Sequence, residues 1–543
     1  MTAQQRIALG LDFGTESVRA LLVDLKGNER ASAVVRYRHG QIVDALPTAP
    51  TKRLPPHHAL QHPQDWIDSS ARAVRRAVKD AGADPREVIG IGVDFTSCTM
   101  LPALADGTPL CLVPKLSKRP LAWPKLWKHH GAVAQTERIN AVARQRNEPL
   151  LKRYGGIIGL EWFFPKILET LENDPAAYDA AEVWLEGGDW YVWQLVGGDA
   201  ATLPRSTCQA GYKGMWSAAD GYPSREFLKA VHPQLERVVV DKMPGRLVPP
   251  GEPAGELCAA MAKKLGLRVG TPVSAAVIDA HAGVPGVGAA GPGVLVMVMG
   301  TSSCHMLNAT EDRFVPGVAG VVKDGILPGY YGYETGQAAV GDAFDWLRRT
   351  LGHAEHDRLA KQASDVPPGS AGVRALDWMN GCRTPLMDGS LRGAFAGLTL
   401  HHSAAHLYRA LMEGSAFGLR WIAQTLREGG VPVNSFVATG GLPHHNPLLV
   451  QIYADVLGET ISVHPSQQGP ALGAAILGTL AAGSSASGFR STAAAIRVLA
   501  APRRDVPARR PLIVKPASKT RDTYNSAYRE YRKLADYFLR EGK

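Results

Sequence analysis

Cysteine is scarce in this chain: Cys98, Cys111, Cys208, Cys258, Cys304 and Cys382 are the six in 543 residues, and none forms a CxxC pair. So sparse a set excludes a disulfide framework as the organising device. Long apolar runs are also missing. The segment from Gly286 to Gly300 is rich in glycine and valine, but Pro292 breaks it and it is too short to span a bilayer. The opening MTAQQRIALGLDFG has no signal-like apolar region. A cytoplasmic protein with no membrane partner is expected. No long Lys/Arg run interleaves with aromatics. The formal charge of +10 and pI of about 9.2 therefore suit an anionic small ligand such as a nucleotide, and no nucleic-acid partner is expected. The densest basic pairs, Arg503-Arg504 and Arg509-Arg510, read as a solvated linker.

What is present is an ordinary globular composition, 45% hydrophobic and 20% charged, on a chain long enough for roughly two to four domains. Residues 6 to 12 read as a strand, Gly14 and Thr15 as a turn, and SVRALLVDL as a second strand ending at Lys26-Gly27-Asn28. A third strand, ASAVVRYRH, follows. This is a glycine-turned hairpin. It is neither a GxGxxG strand-loop-helix unit nor a GxxxxGK[ST] loop. HPQDWIDSSARAVRRAVKDAG predicts a helix, entered at Pro63 and ended by Gly82, with Trp66, Ile67, Ala71, Val74 and Val78 as its stripe. EVIGIGVDFTSCTM predicts a buried strand running into a hydroxyl-rich loop, and DGTPLC a turn and a short strand.

Seven tryptophans fall between residues 120 and 216, where WPKLWKHHGAVAQTERINAVA and EWFFPKILETLE read as helices. LCAAMAKKLGL reads as a helix, and RVGTPVSAAVIDAHAG as a strand that ends on Asp279. The pattern then restarts. VLVMVM runs into GTSSC, LPGYYGYETGQAAVGDAFDWL reads as an aromatic loop, and SFVATGGLPHHNPLLVQIYADVLGETI reads strand, glycine turn, helix, turn, strand. QGPALGAAILGTLAAG predicts a helix whose Gly473-Ala474-Ala475 requires a close neighbour. GSSASGFR reads as a loop. YNSAYREYRKLADYFL predicts a docked helix with Tyr524, Tyr528 and Tyr531 along one side. DFGT at 12 to 15 and MGTS at 299 to 302 form a weak echo between the halves, as paired domains around a nucleotide would.

Two turns can cradle phosphate through backbone N–H groups and hydroxyls: Gly14-Thr15, and Gly300-Thr301-Ser302. Gly441, after SFVAT, leaves bare backbone for a nucleoside. Asp12 can hold hydrated Mg2+, which keeps several waters and takes few carboxylates. Asp279, among small residues, is the candidate general base for phosphoryl transfer from ATP to a hydroxyl. Each reading has a structural alternative, a hairpin-capping aspartate for Asp12 and a helix N-cap for Asp279. Lys213, Glu334, Thr96 and Ser97 are candidate sugar contacts, with ion pairing as the alternative for the two charged ones. Trp127 and Trp162 are core or sugar-face residues, and His281 is a supporting neighbour. The adjacent histidines His57-His58, His129-His130, His401-His402 and His444-His445 lack zinc spacing.

In combination, LGLDFGTES, EWFFPKILETL with Lys166, and GGLPHHNPLLVQIYADVLGETI resemble the FGGY carbohydrate kinases over nearly the whole chain. VDFTSCTMLP, LWKHH, YGGIIGLEW, GDWYVWQLVG, RSTCQAGYKGMW, IDAHAGVP and DGILPGYYGYETGQAAVGD are similar to the ribulose-phosphorylating branch. The resemblance implies an α/β fold of two ribonuclease H-like (actin-like ATPase) domains flanking a catalytic cleft. The sugar-binding, base-bearing domain is expected over 1–288 and the nucleotide-binding domain over 289–543. It implies Asp279 as base, sugar contacts at Thr96, Ser97, Lys213, Asp279 and Glu334, phosphate turns at Gly14-Thr15 and Gly300-Thr301-Ser302, and adenosine near Gly441, His445 and Asn446. The implied reaction is MgATP-dependent phosphorylation of L-ribulose at its C5 hydroxyl, with a homodimer as the expected assembly. YGGIIGLEW, Trp123-Pro124, Gly214 and Met215 depart from the usual pattern, which keeps D-ribulose, ribitol and arabitol open. An actin-like ATPase and a sugar sensor are the readings of another class.

Overall fold

The computed structural model describes residues 6–502 and 507–541. Two seven-stranded mixed sheets organise these residues. The first uses β1 (Ile7–Phe13), β2 (Ser17–Asp24), β3 (Glu29–Arg36), β4 (Val88–Phe95), β5 (Pro253–Glu256), β6 (Pro272–Ser274) and β7 (Val277–Ile278). Its order is β5-β6-β4-β1-β2-β3, with β7 paired to β4. The second uses β8 (Val294–Met299), β9 (Ser303–Ala309), β10 (Gly320–Lys323), β11 (Tyr331–Gln337), β12 (Ser435–Thr439), β13 (Ile461–Val463) and β14 (Leu512–Val514), in the order β10-β11-β9-β8-β12-β13-β14.

The echo between DFGT and MGTS has a structural basis. β1-β2-β3 and β8-β9-β11 are both antiparallel meanders. Each continues into two parallel strands, β4 and β6 in one sheet, β12 and β13 in the other. The two glycine turns close the first hairpin of each sheet. This is the two-domain actin-like ATPase architecture.

Helix α1 (Pro63–Ala81) covers β2 and β3. Proline starts it, and Gly82 ends it in the left-handed conformation at φ 59°. His62 caps it, its Nδ1 accepting from Gln64 N at 3.2 Å. The tryptophan-rich insertion after β4 builds its own core around Trp162, Phe164, Leu168 and Trp184.

Helices α2 (Asp279–Gly286), α3 (Ala404–Glu428) and α4 (Gly469–Ala481) complete the frame. Although α4 lies late in the chain, it packs on β1 and β4 of the first sheet and against α2. The packing is backbone to backbone. A Cβ built on Gly92 would lie 1.7 Å from the Ala474 carbonyl oxygen, and one on Gly10 2.0 Å from that of Ala471. One on Gly473 would lie 1.8 Å from the Ala282 oxygen. The small residues of α4 thus find the close neighbour they require. The resulting core mixes Ala8, Val277 and Ile278 with Val296, Ile476 and Leu477, so the two sheets share it.

Helix α5 (Arg521–Glu541) docks as expected, with Tyr524 and Tyr531 buried and Tyr531 donating to Asp377 at 2.8 Å. Several expectations are corrected. Asp279 is the first residue of α2, one position past the end of β7, rather than the last residue of a strand, because the backbone turns helical directly after the extended Ile278 (φ −68°, ψ 138°). The aromatic loop contains β11, which pairs on one side with β9 and on the other with β10, and then the helix Gly341–Thr350. LWKHH is irregular, and the helix there spans only Val133–Gln145. DGTPLC runs into a 3-10 turn, Leu110–Leu112, rather than a strand. Gly483–Ser487 is a short helix. Arg503-Arg504 lies outside the described residues. Arg509 is not merely solvated, for it donates to the carbonyls of Lys26 and Ala501 at 3.2 and 2.7 Å. No single helix among the described residues is long and apolar enough to cross a membrane.

The glycine contacts predict that Gly473→Ala destabilises the protein despite alanine's better helix propensity. Overpacking against a carbonyl should cost about 3 kcal/mol. Gly291→Ala, where a Cβ meets nothing within 4 Å, should leave the melting temperature unchanged. Parallel thermal denaturation of the two variants checks this.

Candidate active site

Three carboxyls gather at the carboxyl ends of adjacent strands of the first sheet. Asp12 on β1 lies in register with Asp94 on β4, and Asp94 also pairs with Val277 on β7, just before Asp279. Crevices at such strand ends are where ligands bind in open α/β sheets. Asp279 keeps part of its surface open and accepts from Ala280 N at 2.7 Å. Burial pushes its carboxyl up to about 7, against that hydrogen bond and with the help of Asp12. Asp12 is raised by burial too, although Arg19 donates to it at 3.1 Å. Asp94 is fully buried and neither oxygen finds a donor; burial and the other two carboxyls push it well above the usual range.

Asp94 was not among the residues singled out from the sequence. The signal was there: IALGLDF and VIGIGVDF both read as an apolar strand ending Asp-Phe. Its orphaned oxygens beside the partly open Asp12 form a donor set that suits a hydrated divalent cation.

A second group joins the two sheets. Lys213, at the end of the helix Thr207–Lys213, donates to both oxygens of Glu334 on β11 at 3.0 and 2.9 Å. Arg383 donates to Glu334 Oε1 at 2.7 Å, and His281 Nε2 lies 3.4 Å from Oε2. Burial opposes ionisation of Glu334, yet Lys213, His281 and Arg383 hold it well below the usual range. Lys213 is raised above its ordinary value against its own burial, chiefly by Glu334. The two expected sugar contacts are thus partners of one another. Trp162 is buried beside them, with Lys213 Nζ 5.6 Å from its ring centre, and the His281 ring lies tilted against Tyr212 with centres 4.2 Å apart.

Thr96 is buried and its hydroxyl is engaged with that of Thr99 at 2.7 Å, whereas Ser97 remains partly open. Lys166 fixes this loop by donating to the carbonyls of Cys98 and Leu126 at 2.7 and 3.0 Å.

At the Gly14-Thr15 turn, Tyr37 donates to the Gly14 carbonyl and Trp127 Nε1 to the Thr15 hydroxyl oxygen, at 3.1 and 3.0 Å. That leaves the Thr15 O–H free to donate outward. In the second sheet, Val298 pairs with Thr439, so Gly300 and Gly440-Gly441 lie side by side. Val340 and Asp342 N–H groups hold the Thr301 carbonyl, at 2.9 and 3.1 Å, and Thr301 itself is exposed. Gly440 has φ 93° and a Cβ on it would come 2.4 Å from the Met299 carbonyl oxygen. Gly441 and His445 are exposed beside it. Asn446 also has a structural task, since its Oδ1 caps the helix Pro447–Leu457 through Leu449 N at 3.0 Å.

Histidines far apart in sequence do meet carboxylates, in His58–His129–Glu169 and His39–His62–Asp65. In each trio one ring accepts a backbone N–H at Nδ1: His129 from Ala59 and His62 from Gln64. That fixes the proton on Nε2. His129 Nε2 in turn meets Glu169 at 2.9 Å and His39 Nδ1 meets Asp65 at 3.0 Å, so each trio contains a hydrogen-bonded His–carboxylate pair.

The FGGY family of carbohydrate kinases matches over most of the chain, its N-terminal domain at residues 7–286 and its C-terminal domain at 295–482. The ribulokinase of Anoxybacillus flavithermus is 45% identical over 99% of this chain and 95% of its own length. That of Mycolicibacterium smegmatis is 44% identical over 98% of this chain and 94% of its own. Among solved structures, the xylulose kinase of Rhodospirillum rubrum shares the fold with a TM-score of 0.78 at 22% identity, covering 98% of this chain and 99% of that one. The glycerol kinase of Plasmodium falciparum with ADP does so at 0.75 and 16% identity, covering 98% of each chain.

The raised Asp279 carboxyl has a consequence for stability. Its folded value of about 7 exceeds the ordinary 3.8, so the folded chain holds a proton that the unfolded chain releases between those values. Stability from this group therefore falls as pH rises through that window and stays low above it. Asp279→Asn should stabilise the protein at pH 8, on the order of 4 kcal/mol, and give no advantage below pH of about 4. Melting curves across pH check it.

Proposed function

The chain belongs to the FGGY family of carbohydrate kinases, and we propose that it transfers the γ-phosphoryl group of ATP to the C5 hydroxyl of L-ribulose, giving L-ribulose 5-phosphate and ADP in L-arabinose catabolism. The observation that carries this reading is the pairing of a raised carboxyl, Asp279, with a buried donor–acceptor set, Lys213 and Glu334, between two glycine-turned sheets. Relatives covering nearly the whole chain carry the name ribulokinase.

The sugar lies over Asp279, with Lys213 donating to its oxygens, Glu334 accepting from its hydroxyls, and Ser97 beside them; Thr96 supports the loop from below. Asp279 takes the proton of the attacking hydroxyl as the new O–P bond forms. Gly14-Thr15 and Gly300-Thr301-Ser302 present donors to the phosphates. Gly441, His445 and the Asn446 backbone receive the adenosine. Mg2+, held through water by Asp12 with Asp94 behind it, would neutralise phosphate charge when bound. Closure of the two domains around the substrates excludes water that would otherwise consume ATP. We assign 1–288 to the sugar-binding, base-bearing domain and 289–543 to the nucleotide-binding domain. The strands of the two sheets, which fall on either side of this boundary, support the division. A cytoplasmic location accompanies the metabolic role.

ADP release with MgATP should be stimulated most by L-ribulose in a panel with D-ribulose, D-xylulose, ribitol, L-arabitol and glycerol. Preference for another pentulose or a pentitol would replace the assigned substrate, and no stimulation by any sugar would overturn the kinase reading. With Asp279 as base, kcat/KM should climb with pH to a plateau, half-maximal near 7. Asp279→Asn should lose at least about 100-fold in kcat and retain sugar binding by calorimetry. Near-normal turnover in that variant would exclude Asp279 as the base.

A further inference from the structure

We propose that Arg383 is a positioning residue of the sugar site, fixing Glu334 so that one carboxylate oxygen serves a sugar hydroxyl. The inference rests on the sugar-kinase reading and adds a residue to it. Glu334 has two oxygens and three basic neighbours. Lys213 bridges both oxygens, Arg383 takes Oε1, and His281 stands near Oε2. A sugar oxygen that accepts from Lys213 must draw the ammonium off at least one of them. A buried carboxylate stripped of that partner would be free to rotate, and would be costly to keep charged.

Arg383 prevents this because its own anchors do not involve Lys213. The backbone next to it is tied to the strand that carries Glu334, Thr384 N donating to the Gly336 carbonyl at 3.2 Å. Its Nη1 reaches Cys304 Sγ on β9 at 3.8 Å. Gly336 leaves the guanidinium room, since a Cβ there would lie 3.2 Å from Nη1 and 2.6 Å from the Ser303 carbonyl oxygen. With Oε1 held by Arg383, Oε2 keeps its direction when Lys213 turns to the ligand. The pair then offers one donor and one acceptor side by side. That arrangement matches vicinal oxygens of a ketose or polyol, one accepting and one donating.

The planar, preorganised fork of arginine matters here, and a lysine would supply charge without the same geometry. Arg383 is also the most accessible member of the group, with 31% of its side chain exposed against 7% for Lys213 and 4% for Glu334. The sequence gives little sign of it, because CRTPLMDG lies in irregular chain far from RSTCQAGYK and YETGQ.

Steady-state kinetics of wild type, Arg383→Met and Arg383→Lys test the proposal, with L-ribulose varied at saturating MgATP and then the reverse. Arg383→Met should raise the KM for sugar about tenfold or more, as expected for a lost hydrogen bond to a charged group. Its kcat should change by less than about fivefold and its KM for ATP by less than about twofold, with Arg383→Lys intermediate. If Arg383→Met does not fold, Arg383→Gln and the lysine variant carry the same comparison. An unchanged sugar KM in folded variants overturns the proposal while leaving the kinase reading intact. Equal rises in both KM values, with a lowered melting temperature, reduce Arg383 to a structural role and also overturn it. Wild type inactive on every sugar overturns the parent reading, and this one with it.

Discussion

The close approach of α4 to the first sheet and to α2 is the constraint on which the rest of the structure depends. Glycine in a helix costs about 1 kcal/mol relative to alanine. The chain nevertheless places Gly473 and Gly478 in α4, and Gly10, Gly90 and Gly92 in the strands beneath it. At these points a backbone atom of one element occupies the space a side chain would need. The helix therefore lies low enough for a single core to serve both sheets. It also fixes α2, and with it Asp279 at the head of that helix. The carboxyl proposed as the base thus owes its place to residues nearly two hundred positions later in the chain.

On this rigid floor the cleft collects charge that proteins usually keep in water. Three carboxyls stand at neighbouring strand ends, and their burial favours the protonated forms. Across from them, Lys213 and Arg383 keep Glu334 ionised. Buried ion pairs of this kind add little net stability, because desolvation cancels much of the attraction. In the proposed site their value is chemical. A ketose brings hydroxyls and a carbonyl but no charge, so in the proposed site it is recognised by fixed donors and acceptors. The ion pair also joins Lys213, in the first half of the chain, to Glu334 in the second, so a ligand that engages both senses the relative placement of the two sheets.

Much of the frame was legible in local sequence. IALGLDFGTES spells a strand and a glycine turn, Pro63 and Gly82 punctuate α1, and the small residues of α4 declare a close neighbour. The echo of DFGT in MGTS marked the repeated meander. Long-range chemistry was less legible. Asp94 looks like one more residue of a buried strand until its register with Asp12 is known. Arg383 lies in irregular chain whose partners are set by tertiary structure alone. Lys213 and Glu334 were each visible as charges, but their pairing across 121 residues was not. Asp279 was placed at a strand end because Pro272 to Ile278 is apolar except for Ser274. A break between two short strands leaves no trace in such a run.

The most direct test of the account is to follow L-ribulose labelled with 13C at C5 by NMR during incubation with MgATP. The account predicts 13C–31P coupling at the labelled carbon, growing in step with ADP. ADP accumulating while the C5 signal stays uncoupled would contradict it.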